Sequence, residues 1–199
     1  MSTWKSSMAM AWMVAVAACH GEEPVRVLVL DYSAVSRGKL EAAAKIAHRE
    51  FRLAGVQTDW HICTGTTDAQ PKCGLPAGTY LQIKIVPGST IRRTGDSMGR
   101  ALCDPGKRGV LSFVFSSEVK RLAESTSRDF SAILATVMAH EVGHLLGVVH
   151  SPSGIMKEAL VERDAADAEK GHLNFSPEDA NALRAATRDM LLSATDGGH

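Results

Sequence analysis

The chain has 199 residues, 45% of them hydrophobic and 22% charged, with 22 Lys and Arg against 22 Asp and Glu. That composition fits one globular domain with a sizeable core and excludes a disordered or fibrous chain. The charge balance, with neither a basic stripe nor an acidic block, gives no ground for a nucleic-acid partner or a disordered acidic tail.

Residues 1–19 differ from the rest. Lys5 is the only charge among them, and Met8 to Ala18 form an apolar run of eleven residues. Such a run is too short to span a bilayer and has the length of the apolar region of a secretory signal. Val16-Ala17-Ala18-Cys19 resembles a bacterial lipobox, in which Cys19 becomes the lipidated first residue; cleavage after Ala17 by an ordinary signal peptidase is the alternative. Either way the chain is expected to be exported: secreted, periplasmic or lipid-anchored at the cell envelope. Membrane attachment is expected only through a lipidated Cys19.

The remaining chain, 20–199, reads as one folded unit. Val25 to Leu30 is β-branched and apolar, a buried strand. Ser36 to Ala54 is an amphipathic helix with Leu40, Ala43, Ala44, Ala47 and Phe51 on one face, and Gly55 ends it. Thr58 to Cys63 is a second strand, and Tyr80 to Val86 a third, with Leu81, Ile83 and Ile85 alternating. Pro87 to Arg93 is a loop, Met98 to Leu102 a short edge strand and Val110 to Phe115 a further strand. Ser117 to Ser127 is polar, a short helix or loop.

In an exported chain Cys63, Cys73 and Cys103 are candidates for a disulfide. Cys63 and Cys73 flank a polar loop, Thr64 to Lys72, and a bridge closing it is the natural expectation; pairing of either with Cys103 is the alternative. No cysteine has a C-x-x-C partner, so a second, cysteine-based zinc site is not expected.

Asp129 is placed to cap a helix whose apolar period runs through Phe130, Ile133, Leu134, Val137 and Met138. His140 and His144 continue the stripe of Ile133 and Val137, so they are expected to face inward at the floor of a cleft. The eleven residues from His140 to His150 read H-E-x-x-H-x-x-G-x-x-H. Histidines four apart stack on one helical face and can present two imidazoles to one ion. Glu141 follows the first ligand directly, so its carboxylate stands beside the metal, where it can take a proton from a bound water. Gly147 provides the left-handed exit from the helix, after which His150 can return as third ligand. Three neutral imidazoles with a fourth position open to water are the pattern of a catalytic Zn²⁺ site. Chance gives such a constellation on the order of 10⁻⁷ per starting position.

This stretch, with Ser151-Pro152-Ser153-Gly154-Ile155-Met156 after it, resembles the metzincin clan of zinc metallopeptidases, in which a tight turn places a methionine beneath the metal. Met156 is the candidate. Within the clan, Ser151 and Asn174-Phe175-Ser176-Pro177-Glu178-Asp179 look most like matrix metalloproteinases, although no subfamily is assigned. Some clan members carry a zinc-binding tyrosine two residues after the methionine; Glu158 stands there in this chain, so a tyrosine ligand is not expected.

The resemblance implies an α+β fold with a twisted, mixed five-stranded sheet and an antiparallel edge strand. It implies two long helices in an upper lobe of about 24–147, and a Met-turn and C-terminal helix in a lower lobe of about 148–199. It also implies that Gly99-Arg100-Ala101-Leu102 borders the cleft and pairs with an extended peptide substrate, as an open edge can. A wall of the pocket past the cleaved bond would come from Lys157 to Val161. Glu158 to Leu173, rich in both charges, reads as a solvated loop with some helix. Ser176 caps a last helix, with Pro177, Glu178 and Asp179 in its first turn and Leu183, Ala186, Met190 and Leu191 on its apolar face. Only five residues separate Cys19 from the first strand, so no propeptide domain is expected, and no calcium-loop pattern occurs.

The expected function is therefore that of a zinc-dependent endopeptidase acting on protein or peptide substrates. The alternatives from other classes are a catalytically silent zinc- or substrate-binding lipoprotein of the same fold, and an anchoring lipoprotein whose metal helix serves stability alone.

Overall fold

The computed structural model describes residues 23–64, 73–74, 78–88 and 97–196. The expected signal segment with Cys19, most of the loop from Thr64 to Lys72, and residues 89–93 of the loop after the third strand lie outside the described residues. No helix among those described is long and apolar enough to cross a membrane.

The architecture is α+β. Five strands, β1 (Val25–Asp31), β2 (Thr58–Cys63), β3 (Leu81–Val86), β4 (Gly99–Ala101) and β5 (Leu111–Phe115), form one sheet in the order β2-β1-β3-β5-β4. The first four in that order are parallel, and β4 alone runs antiparallel, at the edge beside β5. The register places Val25, Val27, Val29, Leu81, Ile83, Ile85, Ser112, Val114, Gly99 and Ala101 on one face. That face carries the core, where all five of the Val and Ile residues from β1 and β3 are fully buried. On the opposite face Leu28 and Leu30 are also buried, beneath Cys63, Cys73 and Tyr80. Coverage on both sides explains why β1 runs apolar from Val27 to Leu30 instead of alternating.

Helix α1 (Arg37–Leu53) lays Leu40, Ala43, Ala44, Ala47 and Phe51 into the core, the face expected from its period. Its last carbonyls are held from a distance: Arg184 donates from Nη1 to Ala54 O at 2.6 Å. Helix α2 (Ser116–Thr126) follows β5 with no intervening loop and ends at Ser127, which adopts a left-handed φ of 53°. The polar segment after β5 is thus helical, and it presents Val119 and Ala123 to the core.

Helix α3 (Phe130–Leu145) begins as expected: Asp129 Oδ1 accepts from Ala132 N at 2.8 Å. The single apolar stripe is corrected, because this helix is buried on nearly every side. Thirteen of its 16 residues are buried, Ala132, Ala135, Thr136, Ala139 and Gly143 among them. It lies between α1, α2 and the sheet, and a helix enclosed all round has no solvent face to mark its period.

Beyond it, the charged stretch 158–173 contains α4 (Glu162–Glu169), where Asp164 Oδ2 accepts from Val161 N at 2.9 Å and from Lys157 Nζ at 2.7 Å. Helix α5 (Pro177–Asp196) is capped reciprocally: Asp179 N donates to Ser176 Oγ at 3.1 Å and Ser176 N to Asp179 Oδ2 at 3.4 Å. Phe175, just ahead of it, meets Phe51 of α1 at 5.0 Å between ring centroids, joining the segment after the metal helix to the same core. Cys63 and Cys73 form a disulfide with Cα atoms 6.0 Å apart, and Cys103 is the free thiol among the described residues.

Candidate metal centre

The end of α3 assembles the site. Gly147 has φ +92°, its N–H donates to His144 O at 2.8 Å, and Val148 N donates to Gly143 O at 3.0 Å. That pair of bonds is the Schellman ending, in which a left-handed glycine turns the chain back over the last helical carbonyls. The reversal brings His150 to the two histidines on the helix. Its ring centroid is 5.3 Å from that of His140 and 4.7 Å from that of His144, which are themselves 4.5 Å apart. One nitrogen from each of the three lies within 4.8 Å of the others, an arrangement that can hold one metal ion.

The hydrogen bonds fix which nitrogens converge. His140 Nδ1 is 2.8 Å from Ile155 O, and His144 Nδ1 is 2.8 Å from Val148 O. A carbonyl only accepts, so each Nδ1 carries the proton and each Nε2 presents a lone pair. Those two Nε2 atoms face each other at 2.9 Å. Two lone pairs at that distance repel unless a cation stands between or beside them. Burial, first, pushes the His140 imidazolium down to about 4, the neighbouring His144 and His150 adding to it against the Ile155 carbonyl. Burial and then His150 lower His144 as well, against the Val148 carbonyl. Neutral, oriented imidazoles with converging lone pairs are what a zinc ion requires, so the residues present fit the ion.

The turn from 151 to 156 supports this from below. Ser151 N donates to Met156 O at 3.0 Å, closing the turn, and Ile155 N donates to Asn174 O at 3.1 Å. Met156 is fully buried against the metal helix at Gly143. A Cβ at Gly143 would stand 2.5 Å from the Met156 sulfur and 3.1 Å from its methyl. Gly143→Ala is therefore expected to cost about 1–3 kcal/mol through overpacking, read as a fall in Tm, and to weaken metal binding by moving Ile155 away from His140. Gly154, with φ +75°, lies against Asn174 O and Ser176 N, which a side chain there would meet. Ser151 Oγ donates to Asp179 Oδ2 at 2.9 Å. That bond anchors the turn at Ser151 to the first turn of α5.

Glu141 is 3% exposed, and its Oε2 has no hydrogen-bond partner among the described residues. Burial alone pushes its carboxyl up to about 8. It packs against the edge strand: a Cβ at Gly99 would stand 2.6 Å from Glu141 Cδ. Glycine at 99 is what lets β4 cross the mouth of the site while Glu141 keeps its place. Around them opens a cleft of about 1040 Å³. The rim along β4 supplies Met98, Gly99, Arg100 and Ala101, and the floor supplies His140, Glu141, His144 and His150.

Leu102 is corrected: it falls outside β4, in a bend, and is 49% exposed, although its N–H still donates to Leu111 O at 2.9 Å. The expected wall reaches the cleft as Lys157, Glu158, Ala159 and Leu160, while Val161 is exposed and does not line it. Sequence reasoning missed Arg121 and Leu122 of α2 and the free Cys103, all of which line the cleft. Cys103 Sγ is 3.5 Å from His144 O, and burial, then Glu141 and Asp104, raise its thiol pKa. Nothing local marks α2 as part of a site, since it arrives there only through the path of β5.

Among solved structures, the chain matches the archaemetzincin from Methanopyrus kandleri with a TM-score of 0.52 and 15% identity, over 86% of this chain and 99% of that one. No protein-family model matches the sequence, and no curated protein is significantly similar to it. At that identity the likeness is one of fold: an α+β, metzincin-like domain with a mixed five-stranded sheet and an antiparallel edge.

Proposed function

We propose that the chain is a zinc-dependent endopeptidase, exported in its working form. The observation that carries this reading is the buried carboxyl of Glu141, its Oε2 without a hydrogen-bond partner among the described residues, beside three convergent histidines in a cleft bordered by an open strand edge. A module that only bound metal would have no use for a carboxylate held at that cost in desolvation.

In this scheme His140, His144 and His150 hold the ion. A zinc ion there supplies Lewis acidity, polarising a peptide carbonyl and bringing a water within reach of deprotonation near pH 7. The chain does the rest. The open edge of β4 accepts the substrate backbone as an added strand, which fixes the scissile bond over Glu141. Burial favours the neutral form of Glu141, and a cation held by the histidines would favour the ionised one; as a carboxylate, Glu141 takes the water's proton on an oxygen and returns it to the leaving amine nitrogen. Ile155 and Val148 hold the two helical imidazoles in the tautomer that leaves Nε2 free. Met156 touches no substrate; it supports the turn that carries Ile155. The Cys63–Cys73 disulfide supports an oxidising compartment, in agreement with export.

The test is digestion of casein by the purified mature chain, with and without a chelator. Cleavage that a chelator abolishes and stoichiometric zinc restores is the expected result. Cleavage indifferent to the chelator, with the zinc gone, would remove the metal from the mechanism.

A further inference from the structure

Beyond the C-terminal end of β4 the cleft continues into a second, shallower depression of about 530 Å³, and four residues belong to both. It is lined by Arg100, Ala101, Leu102, Cys103, Asp104, Lys107 and Arg108. Among these the only carboxylate, Asp104, is engaged by Lys107 at 3.2 Å. Arg100 and Arg108 are exposed and form no ion pair with any described carboxylate.

The loop bearing Arg108 is held to the metal helix. Gly109 N donates to Leu145 O, Lys107 N to Asp104 O and Leu102 N to Leu111 O, each at 2.9 Å. Arg100 is placed by the strand itself. Gly99 points toward Glu141, so by alternation Arg100 points to the other face, in one row with Phe113 and Lys84. A peptide added to β4 would set every second side chain on that same face. There it would stand beside Arg100 as a cross-strand neighbour, where opposite charges attract and like charges repel.

We infer that Arg100 and Arg108 form a subsite for an acidic side chain of the substrate, borne on the face of the added strand turned away from the metal. This rests on the reading of β4 as the substrate-pairing edge. The depression begins one residue from Gly99, so the preferred Asp or Glu stands a few residues from the cleaved bond. It stands on one side of that bond only, and neighbouring positions, which point into the cleft, do not share the preference.

A competing role for Arg108, whose neighbour Gly109 donates to Leu145 O, is to complement the negative end of α3. Binding separates the two. A fluorescent extended peptide of about ten uncharged residues, long enough to cover the cleft, carries one Glu placed at each position in turn, with Gln as the matched control. Affinity is measured by anisotropy on the zinc-loaded Glu141→Gln protein. At low salt one position, or two positions spaced two apart, should favour Glu about fivefold, a ratio that should shrink toward unity in about 0.5 M salt. The preference should vanish in the further variant Arg100→Gln/Arg108→Gln, while the Gln peptide binds as before. Equal affinities at every position, no measurable binding of either peptide, or a double variant that loses Tm and keeps the preference would each overturn the subsite. Cleavage by the unsubstituted protein is followed in parallel. A Glu preference in binding without cleavage upholds the subsite and removes the peptidase reading; cleavage with no Glu preference does the reverse.

Discussion

Glu141→Gln is expected to lower kcat for any cleaved peptide by about 10²- to 10⁴-fold, the range for loss of a positioned proton carrier, while KM changes little and the protein keeps its zinc. The substitution preserves shape, so Gly99 and β4 stay where they are. It removes a carboxyl that lines the cleft with the histidines and whose Oε2 has no hydrogen-bond partner among the described residues. Activity and zinc content measured on one preparation decide the matter. A variant that keeps most of its turnover places the proton transfer elsewhere. A variant that loses its zinc shows that Glu141 holds the site together, a role outside the chemistry.

His144→Ala has the other large effect, on metal and stability together. His144 lies within 4.7 Å of both other rings, centroid to centroid, and takes its orientation from Val148, inside the turn it helps to close. Without it, His140 and His150 remain, a pair too few to hold zinc against competition from buffer. For the unsubstituted chain, zinc at about 1,000 times its Kd adds about 4 kcal/mol to the folded state, a clear upward shift in Tm on titration. The His144→Ala protein is expected to show no such shift and no casein cleavage. A variant whose Tm still rises with zinc, and whose zinc content still matches the protein, would place the third ligand elsewhere.

Some of this organisation was legible in the residues and some was not, for physical reasons. The strands could be read because β1 and β3 alternate or run apolar for several residues, and the histidines because their spacing is dictated by the helix that bears them. Gly147 was legible because a left-handed exit leaves few other choices. The carbonyls of Ile155 and Val148, which orient the imidazoles, carry no sequence signal; any residue supplies a carbonyl. The enclosure of α3 was hidden because Ala, Thr and Gly between its larger residues read as a weaker face. In fact they mark close approach of α1, α2 and the turn at Met156. Edge strand β4 was expected at Met98 to Leu102 and is found at Gly99–Ala101; its pairing with β5 leaves no local pattern to set its ends. The contribution of α2 to the cleft is of the same long-range kind.

The tie between the turn and the last helix bears on when the centre can exist. The turn that aims His140 is held by Asn174 through Ile155 and by Asp179 through Ser151. Both anchors are synthesised after every histidine of the cluster. At roughly 5–20 residues per second, a growing chain spends a few seconds with all three ligands made and nothing to orient them. During that interval the nascent protein carries the three histidines with no fixed turn to aim them, and the cluster forms only once α5 begins.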